Sequence, residues 1–129
     1  MRVLVDAHAL LWFVTSRGSR MSERARTVLA DASTNALVGA GALYEIAIKS
    51  RTGRLELPAA ADVYLPRLLR RFAFGVLPIA EAHALRAGSL PMIHRDPWDR
   101  LLVAQAQIEA LPIVTADPVI CRYDVDVIW

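Results

Sequence analysis

RVLVDAHALLW, residues 2–12, joins two different patterns through one acid. Arg2–Val5 is a short β-branched run and reads as a buried strand. Ala9–Val14 reads as a helix. Asp6 stands where the strand ends, and a carboxylate directly after a buried strand has little structural reason to be there. The same alternation repeats outward from this stretch. After a break at Arg17-Gly18-Ser19, Ser22 is placed to cap a helix running through Ala30, with Glu23 favourable in its first turn. Asn35–Val38 is a second strand. The apolar run holding Leu43, Ile46 and Ile48 is a helix ending near Gly53. Residues 59–74 are helical in composition but carry Pro66, which predicts a kink or a new start. Gly75–Ile79 is a third strand, weakened by Pro78. Glu81–Ala87 is a helix stopped by Gly88. Asp99–Ala110 is a strong helix, and Pro112–Thr115 and Val125–Ile128 are the last strands. Strands alternating with helices predict an α/β fold with a mainly parallel sheet covered on both faces. Residues 1–129 read as a single domain, with no repeat or linker. The pattern leaves the strand order open.

Length and composition fit that reading. The 129 residues are 55% hydrophobic and 22% charged, enough for a core without cross-links. The only cysteine, Cys121, cannot form an internal disulfide. The N-terminal apolar run is broken by Asp6 and His8 and has no cleavage pattern, so it is read as a strand and not as a signal peptide. No apolar stretch approaches bilayer length, so no membrane association is expected and a cytoplasmic location is. Of 15 basic residues 14 are arginine, and Lys49 is the only lysine. Setting aside four acids proposed below for a site leaves nine acids against 15 bases, a surface of about +6 that favours a polyanion.

Those four acids are Asp6, Glu45, Asp99 and Asp117. In an open α/β sheet, ligands bind outside the carboxyl ends of the strands. Asp6 follows the first strand, and Asp117 follows Pro112–Thr115. Glu45 lies one turn into the helix after the second strand. Asp99 lies at or near the first position of its helix. Each has a structural alternative: Asp99 as a helix cap, Asp117 as a turn former before Pro118. Glu45, among Leu43, Ile46 and Ile48, calls for a partner or an ion. Their joint placement at one edge is costly unless a cation neutralises them, and hard oxygen donors suit Mg²⁺ or Mn²⁺. Asp6, Asp99 and Asp117 are the expected metal ligands, with Glu45 ligating through water or orienting the nucleophile. Asp96 is assigned to the outer shell. Neither His8 nor His94 is expected to ligate.

The chain also resembles PIN-domain ribonucleases of the VapC toxin type, from type II toxin–antitoxin modules. The resemblance spans Arg2–Trp129 and rests on RVLVDAHALLW (2–12), ALYEIAIKSRTGRLEL (42–57), LPIAEAHALRAGSLPMIHRDPWDRLLVAQA (77–106) and LPIVTADPVICRYDVDVIW (111–129). It implies a three-layer α/β/α sandwich and an acidic Mg²⁺ or Mn²⁺ site at Asp6, Glu45, Asp99 and Asp117. It further implies endonucleolytic cleavage of a tRNA or ribosomal RNA, a homodimer, and a cognate VapB-type antitoxin whose C-terminal segment blocks the site. Two positions depart from the pattern. Ala7 and Gly39 stand where the family commonly has hydroxyl residues.

The chemistry expected is metal-assisted phosphodiester hydrolysis. An aspartate phosphatase of the haloacid dehalogenase type would need a second aspartate where His8 stands. A receiver domain would need a lysine after a late strand, and the only lysine, Lys49, lies in a helix in the first half of the chain. The remaining alternative is a catalytically weak PIN-like module that only binds RNA or protein, which the two missing hydroxyls would favour.

Overall fold

Strand β1 (Arg2–Val5) has no solvent exposure from Val3 to Val5, because it lies in the middle of a sheet with helices on both faces. The structure is a computed structural model that describes residues 1–15 and 19–129. Of the break expected at Arg17-Gly18-Ser19, the first two residues lie outside the described residues. Four further strands pair with β1 or its neighbours: β2 (Asn35–Gly39), β3 (Gly75–Leu77), β4 (Ile113–Val114) and β5 (Val127–Ile128). All pairings are parallel and the order is β3-β2-β1-β4-β5. Leu4 stands level with Leu37 and Ile113, and Val5 with Val38 and Val114.

Side chains alternate across each strand, and this divides the core in two. Val3, Val5, Ala36, Val38, Val114 and Ile128 face one helical layer. That layer contains α1 (Ala7–Thr15), α2 (Glu23–Ala30), α3 (Ala40–Arg51) and α4 (Ala61–Arg71), which contribute Leu10, Leu29, Ile46 and Leu65. Leu4 and Ile113, joined by Leu37 and Val127, face the other layer. It is built from α5 (Glu81–Ser89) and α6 (Pro97–Glu109), with Ala87, Leu102, Val103 and Ala106. Each fully buried Leu or Val contributes roughly 1.5–3 kcal/mol relative to exposure. The result is a three-layer α/β/α sandwich.

The topology explains which helices lie where. The chain steps from β1 to β2 to β3 through α1–α4, then returns across the sheet through α5 and α6 to β4 on the far side of β1. Right-handed crossovers place helices on opposite faces when the direction of travel reverses. The reversal falls between β1 and β4, and it leaves a crevice at their carboxyl ends, where α/β sheets bind ligands.

Several element boundaries differ from expectation. Helix α4 runs through Pro66 as one element. The amide it lacks would have bonded the carbonyl of Asp62, and both residues are exposed, so the unpaired carbonyl is not forced into the core. Helix α5 passes Gly88 and ends at Ser89, because Leu90 is held extended by Pro91. Helix α1 begins at Ala7, directly after Asp6. Helix α6 begins at Pro97, two residues before Asp99. Among the described residues no helix is long and apolar enough to cross a membrane.

Candidate functional site

Asp6 joins β1 to α1 and is bonded on both sides. Its carbonyl accepts the Leu10 N–H at 2.9 Å, and Oδ1 accepts the His8 N–H at 3.3 Å, so it caps α1. Its Oδ2 accepts the Thr115 hydroxyl at 2.6 Å. The same Thr115 oxygen accepts the Asp117 N–H at 3.1 Å. One buried hydroxyl after β4 therefore ties the end of β1 to the Asp117 turn. Asp117 Oδ1 in turn accepts the Val119 N–H at 2.9 Å, so this residue also forms the turn across Pro118 that was its structural alternative. Burial pushes the Asp6 carboxyl above its ordinary range and the Glu45 charge adds to this, against the hydrogen bond from Thr115 and the influence of His8.

Asp96, and not Asp99, caps α6. Its Oδ1 accepts the amides of Trp98 at 2.8 Å and Asp99 at 3.3 Å, and Pro97 occupies the first turn, where no amide is needed. Asp99 is thereby released from cap duty and its carboxylate faces the crevice. The loop before α6 is held by Arg100. This buried guanidinium donates to the carbonyls of Ala87 at 2.8 Å, Leu90 at 2.9 Å, Pro91 at 2.9 Å and His94 at 3.3 Å. A buried cation is tolerable only when its N–H groups are paired, and main-chain oxygens meet that need. The Tyr123 hydroxyl accepts the His94 N–H at 2.8 Å and clamps the same loop.

The acids meet around Asp99. His94 Nε2 lies 2.9 Å from Asp99 Oδ2 and 3.6 Å from Asp117 Oδ2. His94 Nδ1 accepts the Asp96 N–H at 3.3 Å, so in the neutral ring Nε2 carries the proton toward Asp99. Two groups offer ligand atoms all within 4.8 Å of one another: His94, Asp99 and Asp117, and Glu45, Asp96 and Asp99. Asp6 belongs to neither group, but it lines one recess with Glu45 and Asp99. Burial, then the charges of Asp96 and Asp6, push the Asp99 carboxyl up to about 7; His94 opposes this and Asp117 adds to it. Glu45 Oε2 accepts a hydrogen bond from Lys49 Nζ at 2.8 Å. A carboxylate that resists ionisation beside several others is a site short of positive charge. Its oxygen donors, with one imidazole, fit a hard divalent cation such as Mg²⁺ or Mn²⁺.

The structure brings all four expected acids to the same edge and adds residues that the sequence did not single out. His94 was set aside, yet it bridges two of the acids. Thr115 supplies Asp6 with a hydroxyl, although Ala7 offers none. Gly39 has a packing reason: a Cβ there would lie 2.7 Å from Gln105 Oε1. Buried Gln105 fills the space and donates to the carbonyls of Leu77 at 3.3 Å and Pro78 at 3.2 Å. The HxxxxD spacing of His94 and Asp99 across a helix start was the available signal for the histidine. Nothing in the local sequence marks Arg100 as buried.

Comparisons with known proteins agree with this architecture. No curated protein matches the chain. A structure described as VapBC2 from Rickettsia felis bound to a DNA fragment from its promoter is similar at 11% identity, with TM-score 0.72, covering 98% of this chain and 97% of that one. FitAB bound to a DNA fragment is similar at 17% identity, with TM-score 0.66, covering 98% and 93%. A toxin–antitoxin complex from Klebsiella pneumoniae is similar at 14% identity, with TM-score 0.55, covering 89% and 86%. At these identities the likeness is one of fold. The PIN domain family matches residues 3–126, nearly the full length, and the chain belongs to the PIN domain family.

Proposed function

We propose that this PIN domain is a metal-dependent endoribonuclease and the toxin of a type II toxin–antitoxin module. The observation that carries the reading is the convergence of Glu45, Asp96, Asp99, Asp117 and His94 at the β1–β4 crevice, with Asp99 pushed up to about 7. Asp6, Asp99 and Asp117 would hold the cation, and Glu45 would orient the attacking water. Asp96 acts from the outer shell by setting the start of α6. A bound Mg²⁺ or Mn²⁺ supplies a water acidified toward neutral pH and a counter-charge for the scissile phosphate. The protein's own residues do the positioning. Thr115 fixes Asp6, His94 holds Asp99 and Asp117 on facing sides, and Lys49 directs Glu45.

The Thr115 hydroxyl on Asp6 favours the enzyme over a module that only binds RNA or protein, because it makes the contact that Ala7 lacks. The substrate in this reading is a tRNA or ribosomal RNA, and the compartment is the cytoplasm. The toxin–antitoxin complex among the structural neighbours supports a cognate VapB-type antitoxin as partner. Exposed Tyr44, Val63 and Phe72 supply apolar surface for a homodimer. The test is cleavage of labelled RNA with and without Mg²⁺. Cleavage that needs the metal and is lost in Asp6→Asn is expected. Cleavage persisting in Asp6→Asn would assign the activity elsewhere.

A further inference from the structure

We propose that the groove formed by His8, Lys49 and Arg54 is a subsite for an RNA phosphate next to the scissile one; the proposal rests on the nuclease reading above. The recess that holds Asp6, Glu45 and Asp99 and the groove that holds these three bases share a wall made of Ala7 and Glu45. A strand whose scissile phosphate lies at the acids therefore passes directly into the basic groove. Ala7 is part of the reason: a larger side chain on the shared wall would narrow the passage.

The bases are delivered by the end of α3. Lys49, the only lysine among 15 basic residues, uses one proton of its ammonium on Glu45 at 2.8 Å, which leaves two for another acceptor. Gly53 then turns the chain at φ +77, a conformation that costs glycine nothing. The turn folds the next residues back over the last helical turn, where the amides of Arg54 at 2.9 Å and Leu55 at 3.1 Å donate to the Lys49 carbonyl. Arg54 thus returns beside Lys49, and its guanidinium has no ion-pair or hydrogen-bond partner among the described residues. His8 reaches the same groove from the first turn of α1. Acids alone would repel the nucleic acid on either side of the scissile bond, and the groove answers this with the ammonium of Lys49 and the guanidinium of Arg54.

The test is anisotropy of a short, labelled single-stranded RNA of mixed sequence, in Ca²⁺ to suppress cleavage, over a range of salt. Removing one phosphate contact lowers the slope of log K against log salt by about 0.7. Arg54→Ala is expected to show that drop and Arg54→Lys to keep the wild-type slope, with Mn²⁺ affinity unchanged in both as the check on folding. Wild-type binding with an unchanged slope in Arg54→Ala would overturn the subsite and leave the nuclease reading standing. Failure of the wild-type protein to bind RNA at all would overturn both.

Discussion

The two faces of the sheet are held by different means. On the α1–α4 face the buried side chains are apolar, with Leu10, Leu29, Ile46 and Leu65 packing on β1 and β2. On the α5–α6 face, among the described residues, three polar side chains are buried as well: His83, Arg100 and Gln105. Arg100 and Gln105 each bind main-chain carbonyls of loops. His83 Nδ1 accepts the Ala80 N–H at 2.9 Å, and Nε2 lies 3.0 Å from Glu109. Hydrophobic contact is non-directional and suffices to stack helices on a sheet. The loop that presents His94 and Asp96 and leads into the helix of Asp99 has no period of its own, and only directional bonds place it. The site therefore takes His94, Asp96 and Asp99 from the hydrogen-bonded face, Asp6 and Asp117 from the ends of β1 and β4, and Glu45 from α3 on the other face.

The largest effect is expected where that distinction is broken. Arg100→Met removes donors from four carbonyls in a buried setting, and a loss of about 4 kcal/mol is expected by denaturant melts. Amide exchange should rise first in residues 90–96, and Mn²⁺ affinity should fall. Leu10→Ala on the opposite face should cost about 3 kcal/mol by cavity formation and leave Mn²⁺ affinity at the wild-type value when measured well below its melting temperature. Equal losses of metal affinity in the two variants would erase the contrast.

A smaller effect follows from charge. Asp99 ionises at about 7 when folded, against 3.8 for the ordinary carboxyl. Between those values the folded state holds a proton that the unfolded chain has released, so the metal-free protein loses stability as pH rises through that window. The raised Asp6 acts in the same direction. Asp99→Asn should flatten that part of the pH–melting curve and raise the melting temperature above pH 7 without metal. The smallest effect concerns a helix end. Ala110 ends α6 in the left-handed region at φ 54, where an L-residue is strained. Ala110→Gly should stabilise by about 0.5–1 kcal/mol in the same melts, net of the greater freedom that glycine gives the unfolded chain.

The alternation of strands and helices was legible because period and burial are written locally: RVLV, NALV and PIVT each announce a strand. Asp6, Glu45 and Asp117 were legible as candidates through their placement after those strands, and Asp99 through its place at the start of a long helix. The boundaries that failed turn on what lies across space. Pro66 is harmless because its face meets water, and Gly88 stays helical because Pro91, not the glycine, ends the helix. Asp99 was placed at the helix start, but Asp96 has that role, since only the loop conformation decides which acid meets the free amides. Thr115 and Gln105 act across more than twenty residues, so no local pattern carries them. Gly39 looked like a lost hydroxyl and is a space that Gln105 fills.

Binding of a divalent cation by these acids underlies the function proposed for the site. Titrating Mn²⁺ into the protein near pH 6.5 by calorimetry, in buffers of different ionisation enthalpy, reads heat and proton release together. Binding with release of part of a proton is predicted, because Asp99 is partly protonated there and must ionise to take a metal, and Asp99→Asn should weaken binding and abolish the release. Binding at millimolar Mn²⁺ with no proton released, or equal binding by Asp99→Asn, would contradict it.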